Sequence, residues 1–107
     1  MGEKGAAIMG YYDKLDDTNY TDTISKFREF SANQKLKILG ANQKRNFGTV
    51  KSDVADDEYS ELSGVTPADD SPEIDHVLPK SKGGTNEYKN AQVTSRKYNN
   101  SKRAKAI

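Results

Sequence analysis

The stretch that decides the fold is "EIDHVLPKSKGGTNEYKNAQ", residues 73–92, which contains the only histidine of the 107-residue chain. Apolar side chains on both sides of Asp75 and His76 predict a short buried strand, which Pro79 ends. These side chains are Ile74, Val77 and Leu78. The polar loop that follows contains a Gly-Gly pair, which permits backbone conformations with positive φ. The stretch therefore predicts a strand followed by a tight loop.

A second strand and a helix are predicted after this loop. Residues 91–94 favour a short strand, and either Thr94 or Ser95 is suited to cap a helix through "RKYNNSKRAK". The order strand, loop, strand, helix indicates a domain of the α+β class.

Two helices are predicted upstream of this core. The first begins near Thr21 or Asp22 and repeats apolar residues at every third position, namely Ile24, Phe27 and Phe30. The second begins at Ser31 and stops at Gly40. Its apolar residues are Leu36 and Leu39. Residues 47–51 favour a short strand.

The composition limits the chain to one small domain with a modest core. Hydrophobic residues make up 33% of the sequence and charged residues 31%. We expect residues 1–29 to form a leader or an N-terminal helical extension, and residues 30–107 to form the domain. With no cysteine and a single histidine, the sequence excludes disulfides, cysteine-based zinc sites and multi-histidine metal sites. No apolar run approaches the roughly 20 residues that cross a bilayer.

Charge is distributed unevenly along the chain. Residues 1–75 carry a net charge of −6, whereas residues 76–107 carry +7. A basic C-terminal third predicts a polyanionic partner, usually nucleic acid, although a solvated charged tail is the alternative. Residues 53–75 hold nine acids and no Lys or Arg. We expect a solvated loop there with a helical turn over 59–62; a screen over the basic face or a surface for a basic partner remain open.

The polar residues of the last third resemble a known motif. "IDHVLP", then "GGT", then Asn90 and Asn99 are similar to the HNH nuclease motif on a ββα-metal finger. The ordered set resembles the D-H-N-N-K variant found in bacterial polymorphic toxins, here Asp75, His76, Asn90, Asn99 and Lys102. The resemblance covers residues 73–105. It departs from many relatives in lacking CxxC pairs, and Asn99 stands where colicin-type DNases have histidine.

The resemblance implies an α+β fold with a ββα-metal core, preceded by one or two helices, and hydrolysis of DNA. His76 is suited to take a proton from water, because histidine has a reference pKa of about 6.5. Asp75 and Asn99 offer hard oxygen ligands, which favour Mg²⁺, then Mn²⁺, over Zn²⁺ or Ni²⁺. Lys102 would add a cation at the phosphate. Asn90 would brace the loop and orient the base.

Further basic residues surround this centre and are predicted to contact DNA phosphates: Lys80, Lys82, Lys89, Arg96, Lys97, Arg103 and Lys105. Such contacts carry little sequence information, so cleavage should be nonspecific. Tyr88 and Tyr98 are expected to pack rather than to stack on bases.

The resemblance also implies a biological setting. We expect a toxin domain that is secreted or delivered from the cell surface, acts in the cytoplasm of a target cell and is blocked by an immunity protein. A phage or mobile-element HNH endonuclease is one alternative. A nucleic-acid-binding module that does not cut is another, and RNA remains open as the substrate.

Overall fold

The computed structural model describes residues 9–15, 29–63, 65 and 67–106. Within that part there are two α-helices and two strands. Along the chain they are α1 (Ala32–Arg45), β1 (Pro72–His76), β2 (Ala91–Ser95) and α2 (Arg96–Ala106), with 3-10 helices at Met9–Tyr12, Lys80–Lys82 and Tyr88–Asn90. The predicted α+β class and the order strand, loop, strand, helix are confirmed.

The two strands pair antiparallel along their whole length. Pro72 lies opposite Ser95 and His76 opposite Ala91. Every residue of β2 is buried, which agrees with its mostly small side chains of low polarity. The first strand ends at His76, before Val77 and Leu78, because the Leu78 amide donates to the Asn90 side chain at 2.8 Å instead of to a strand partner.

The outer edge of β2 is covered by carboxylates from the acidic segment. Asp53 Oδ2 accepts from the Val93 amide at 2.8 Å, and Asp57 Oδ2 accepts from the Ser95 amide at 2.8 Å. An unpaired strand edge leaves its backbone donors unsatisfied, and these two side chains satisfy them. The expectation that the acidic segment is a solvated loop is therefore wrong for Asp53 and Asp57, which are buried.

Helix α1 begins as predicted but does not stop where predicted. Ser31 caps it in a capping box with Gln34, so the predicted start is confirmed. The helix runs through Gly40 to Arg45, because Gln34, Ile38 and Asn42 continue one buried face at four-residue spacing. Leu36 lies on the opposite face and is 70% exposed, so it does not belong to the core.

Two further local predictions are wrong. Phe47 lies in a turn at φ 57° rather than in a strand. Residues 59–62 form no helical turn, because Lys51 and Glu61 pair in an antiparallel bridge and the Leu62 amide donates to the Val50 carbonyl at 2.9 Å. Backbone pairing across this loop replaces the bonds that a helical turn would make.

The second helix is fixed at its start by three bonds. Ser95 Oγ accepts from the Tyr98 amide at 3.0 Å, so Ser95 rather than Thr94 is the capping residue. The amides of Arg96 and Lys97 donate to the carbonyls of Ser71 and Asp69 at 2.8 and 3.0 Å. These bonds anchor α2 to the chain just before β1.

The hydrophobic core lies between α1, the sheet and the short segment at residues 9–15. Its buried members are Tyr12, Phe30, Ile38, Leu62, Tyr88, Ala91 and Val93. Tyr12 is fully buried and donates to Asp53 Oδ2 at 2.6 Å, so the segment assigned to the leader contributes to this core. The expected packing role of Tyr88 is confirmed. The first predicted helix begins at Thr21 or Asp22, and its residues as far as position 28 lie outside the part of the chain that the structure describes.

Across the described ranges, the helices are too short and too polar for any of them to cross a membrane.

Candidate active site

His76 occupies the last position of β1 and is held from two sides. Its ring stacks on Phe30, with centroids 4.4 Å apart and planes at 15°. Its Nε2 lies 2.6 Å from Asn86 Oδ1. The ring is thus fixed in orientation by an aromatic contact and by a polar contact in the loop between the strands.

The bonds of Asn86 determine which nitrogen of His76 carries the proton. Asn86 Nδ2 donates to the Glu29 carbonyl at 3.1 Å, so its Oδ1 faces the imidazole as an acceptor. Nε2 must then be the donor in that pair. In the neutral imidazole the proton lies on Nε2, which leaves Nδ1 as the basic nitrogen.

The environment keeps His76 neutral. Burial lowers the pKa of His76 below its usual 6.5, and the positive charges of Lys80 and Lys102 act in the same direction. The Asn86 hydrogen bond and the charge of Asp75 oppose this shift without reversing it. At neutral pH the unprotonated form therefore predominates, which is the form that a general base requires.

Asp75 has a different set of partners from His76. Its Oδ2 accepts from Lys102 Nζ at 2.6 Å and from Gln92 Nε2 at 2.9 Å. Since β1 stays regular through His76, the two neighbouring side chains leave opposite faces of the strand. Lys102 contacts both residues, but at His76 it binds only the backbone carbonyl, at 2.7 Å, so it does not join the imidazole to the Asp75 carboxylate.

Asn99 contacts Glu73, a carboxylate outside the D-H-N-N-K set. Its Nδ2 donates to Glu73 Oε1 at 2.7 Å, and the Asn99 side chain is almost fully buried. Glu73 and Asp75 are two residues apart on β1, and Asn99 and Lys102 are three apart on α2, so each pair shares a face. The structure thus joins Asp75 to Lys102 and Glu73 to Asn99 across the contact between β1 and α2.

Clefts flank this contact on both sides. Glu73 and Asn99 line one of about 300 Å³, together with Lys35 and Arg96. Lys102 lines another of about 310 Å³, whose walls include Asp56, Glu58, Lys97 and Tyr98. The walls of the two clefts thus include Glu73, Asn99 and Lys102 but neither Asp75 nor His76.

The residues of this contact fit a hard divalent cation in donor type. The Asp75 carboxylate and the Asn99 Oδ1, whose amide nitrogen is already engaged by Glu73, are oxygen ligands that Mg²⁺ accepts. Glu73 adds a second carboxylate to the same face. The Lys102 ammonium already lies 2.6 Å from Asp75 Oδ2, so a cation there must share or displace it. Among the described residues no three His, Cys, Asp or Glu side chains cluster as a metal site.

Asn90 ties the loop down at three points. Its Oδ1 accepts from the Leu78 amide at 2.8 Å, and its Nδ2 donates to the carbonyls of Leu78 and Thr85 at 3.0 and 2.9 Å. These bonds close the loop that carries Asn86, so Asn90 positions the partner of His76 rather than the histidine itself.

The two glycines of the loop have different roles. Gly83 has φ 93° and ends the 3-10 helix Lys80–Lys82, as the sequence leads one to expect. Gly84 has no such φ; a Cβ atom there would lie 1.7 Å from the Leu78 carbonyl oxygen. Gly84 is therefore required by close backbone approach, which the spacing of the motif does not reveal.

The predicted phosphate-binding residues are only partly free for DNA. Several pair with carboxylates: Lys89 with Glu87 at 3.9 Å, Arg96 with Glu73 at 3.6 Å and Lys97 with Glu58 at 2.8 Å. Lys82 is exposed, and Lys80 lies near enough to His76 to influence its pKa. The side chains of Arg103 and Lys105 lie outside the described residues. The ion pairs are on the surface and therefore weak enough for phosphate to replace them.

Sequence reasoning missed Asn86, Glu73 and Phe30. The Asn86 side chain could have been suspected only from its place in a polar loop, where asparagine commonly bonds to the backbone. Glu73 carries a signal, because a residue two positions before Asp75 in a strand shares its face. Phe30 carries none, since its contact with His76 spans 46 positions of the chain.

Comparisons with protein-family models, with curated proteins and with solved structures find no match to this chain.

Proposed function

We propose that this chain is a metal-dependent, nonspecific DNA endonuclease with a ββα-metal core, in which His76 is the general base. The observation that carries the proposal is the hydrogen bond between His76 Nε2 and Asn86 Oδ1 at 2.6 Å. It leaves Nδ1 unprotonated on a ring whose pKa is lowered by burial. A half-buried imidazole whose remaining nitrogen is unprotonated supports the role of a general base.

The roles proposed for the other side chains rest on the motif and on their contacts. His76 Nδ1 takes a proton from the attacking water, and Asn86 holds the ring while the imidazolium forms. Asp75 and Asn99 would hold Mg²⁺, or Mn²⁺ in second place, which supplies positive charge for the scissile phosphate when bound. Lys102, which reaches Asp75 and the His76 carbonyl, is placed to turn its ammonium toward a phosphate oxygen.

DNA is the proposed substrate because the basic residues near this site are suited to backbone phosphates. Lys80 and Lys82 lie on the loop that follows β1, and Arg96 and Lys97 lie at the start of α2. Contacts of this kind bind phosphate without reading bases, which agrees with nonspecific cleavage.

The biological role proposed for this activity is that of a toxin domain, delivered from a producing cell and neutralised by an immunity protein. Its support is the D-H-N-N-K resemblance. Expression in the bacterial cytoplasm should arrest growth and fragment the chromosome, and a His76→Ala variant should not. Rescue by the product of an adjacent gene would support the toxin role over that of a phage endonuclease.

A plasmid assay tests the enzymatic proposal. Supercoiled plasmid should be nicked in the presence of Mg²⁺, and both EDTA and His76→Ala should abolish nicking. Ser60→Ala, which removes an exposed hydroxyl from the loop before β1, is the control that should leave nicking unchanged. Plasmid that stays supercoiled with every metal tested would instead indicate a module that binds without cutting. Faster loss of total RNA than of plasmid would reassign the substrate.

A further inference from the structure

The solvent face of α1 combines several features that the packing of the protein does not explain. Residues 30–52 contain five Lys or Arg and no Asp or Glu. The face is formed by Leu36, Lys37, Gly40 and Lys44, which share one side of the helix, together with Phe47 in the turn that follows it; all five are exposed. We call these five residues the α1 basic face.

Phe47 is the most unusual member of this face. It sits at φ 57°, in the left-handed region, and its side chain is 96% exposed. The amide of Gly48 donates to the Gln43 carbonyl at 2.8 Å and that of Phe47 to the Lys44 carbonyl at 3.3 Å. This pair of bonds forms a helix-ending motif whose left-handed position normally holds glycine. Phe47 therefore carries backbone strain and recovers nothing by packing.

Gly40 is the second feature. It lies in the middle of α1, where glycine weakens a helix, and a Cβ atom there would meet nothing within 4 Å. Neither φ nor crowding calls for glycine. What glycine does provide is a flat place on an exposed face, where another molecule can approach the helix backbone closely.

The charges of the face are available to a partner. Lys37 and Lys44 are seven positions apart, which places them about 10 Å apart along one side of the helix. Neither forms an ion pair with a carboxylate of the described residues, unlike Lys35, which pairs with Glu29 at 2.6 Å, and Arg45, which pairs with the buried Asp53 at 2.6 Å.

We infer that the α1 basic face is a second DNA-binding surface, with Lys37 and Lys44 on phosphates and Phe47 against a base or a sugar. Uniform positive charge fits a polyanion better than a protein surface, which would present charges of both signs. An exposed planar ring is suited to stacking on a base or to wedging into a groove. Leu36, 70% exposed, can contact a thymine methyl group.

The position of the face agrees with this role. Helix α1 begins two residues after Phe30, which stacks on His76, and its 14 residues extend about 21 Å from there. That length spans about six base-pair steps. DNA held along α1 would thus be retained near His76 between cleavage events. The inference deepens the proposed nuclease function and rests on its choice of DNA as substrate.

The test measures binding without cleavage, using the full chain, EDTA and a 20-base-pair duplex at several salt concentrations. Replacing both lysines, Lys37→Gln with Lys44→Gln, should reduce the slope of log affinity against log salt by about 1.8, because each phosphate contact contributes about 0.9. Lys14→Gln, an exposed lysine on another segment, is the control and should change nothing. An unchanged slope in the double variant would overturn the inference.

Phe47 is tested by its own probe. The chain has no tryptophan, so Phe47→Trp introduces a single tryptophan, which can be excited selectively over the six tyrosines. Its fluorescence should be quenched when the duplex is added, and emission that does not respond would overturn the placement of Phe47 on DNA. Phe47→Gly should raise the urea midpoint by relieving strain and yet weaken binding. A face that binds protein instead would leave both the salt slope and the emission unchanged.

The outcomes separate this inference from the nuclease proposal. If His76→Ala loses plasmid nicking but the double lysine variant keeps the wild-type salt slope, the nuclease proposal stands and the inference about the α1 basic face is wrong. If the double lysine variant has a reduced salt slope but the wild-type protein nicks plasmid with none of the metals tested, the inference about the face stands and the nuclease proposal is wrong.

Discussion

Asn86 Oδ1 lies 2.6 Å from His76 Nε2, while the amide nitrogen of Asn86 is held by the Glu29 carbonyl. The amide cannot rotate without losing one of these bonds, so it permits one neutral tautomer of His76. A residue ten positions after the histidine thereby decides which of its nitrogens is basic.

Replacing Asn86 should impair cleavage through His76. We expect Asn86→Ala to lower kcat by about 10- to 100-fold, as loss of a partner that orients a reacting group commonly does. In ¹⁵N NMR spectra above the pKa of His76, the Nε2-H tautomer should give way to a mixture. Ser60→Ala should alter neither measurement. A variant that loses activity while keeping a single Nε2-H tautomer would show that Asn86 acts otherwise, and circular dichroism would check that it folds.

Cleavage should depend on pH through the same ring. The pKa of His76 is lowered, so the base form predominates at a lower pH than for an ordinary histidine. The logarithm of kcat/KM should therefore rise with pH on the acid side and level off before the reference pKa of about 6.5. A limb that levels off above pH 7 would contradict the burial-induced shift. Measuring it at saturating Mg²⁺ keeps metal binding constant.

Lys102 should compete with a metal for Asp75. Its Nζ lies 2.6 Å from Asp75 Oδ2, so removal of the charge in Lys102→Met leaves that oxygen open to a cation. We expect Mn²⁺ to bind more tightly, by about tenfold in titration calorimetry without DNA, since a like charge at this distance opposes binding. Plasmid nicking should fall at the same time. Weaker Mn²⁺ binding in Lys102→Met would show that the lysine holds the carboxylate in place for the metal.

Asp57 should make the fold sensitive to acid. Burial acts to raise its pKa, but hydrogen bonds from Ser95, Ser52 and Tyr59 outweigh burial and lower it from the usual 3.8. A carboxylate whose folded pKa is depressed stabilises the protein above the unfolded value, and this stabilisation is lost as the pH falls through the folded pKa.

The corresponding substitution is Asp57→Ala, which leaves the Ser95 amide and hydroxyl without their acceptor. It should lower the free energy of unfolding at pH 7 by about 3 kcal/mol, measured by urea denaturation. The control is the exposed neighbour Asp56, because Asp56→Ala should change the free energy of unfolding by less than about 0.5 kcal/mol. The difference in the free energy of unfolding between wild type and Asp57→Ala should shrink below pH 3.8. A difference that grows in acid would show that the pKa of Asp57 is not lowered by folding.

The two glycine environments predict opposite effects of alanine. Gly84→Ala should destabilise the protein by about 2 kcal/mol or more, because its Cβ would collide with the Leu78 carbonyl. Gly40→Ala should stabilise it by about 1 kcal/mol, because nothing crowds that helical position. Thermal unfolding of the two variants checks both signs. A stable Gly84→Ala protein would mean that the loop adapts without cost.

Local residue chemistry was enough to predict several elements. Ser31 predicted the start of α1, and the choice between Thr94 and Ser95 predicted that of α2 to within one residue, because capping depends on neighbours in the chain. The strands around Asp75 and Ala91 follow from short apolar runs. Predictions from local patterns were wrong where tertiary contacts outweighed them. Gly40, for example, does not end α1, because Ile38 and Asn42 bury one face of the helix on both sides of it.

The candidate site likewise contains features that the sequence predicts and features that depend on tertiary contacts. The order of residues alone predicts strand, loop, strand and helix, with an Asp-His pair followed by Asn90, Asn99 and Lys102. The packing of separate elements brings Asn86 and Phe30 to His76, Lys102 to Asp75 and Glu73 to Asn99. Asp53 and Asp57 likewise cap the edge of β2 although they are about 40 positions away. Spacing predicts neighbours along one element, whereas contacts across elements depend on how buried faces pack and on which backbone donors remain to be satisfied.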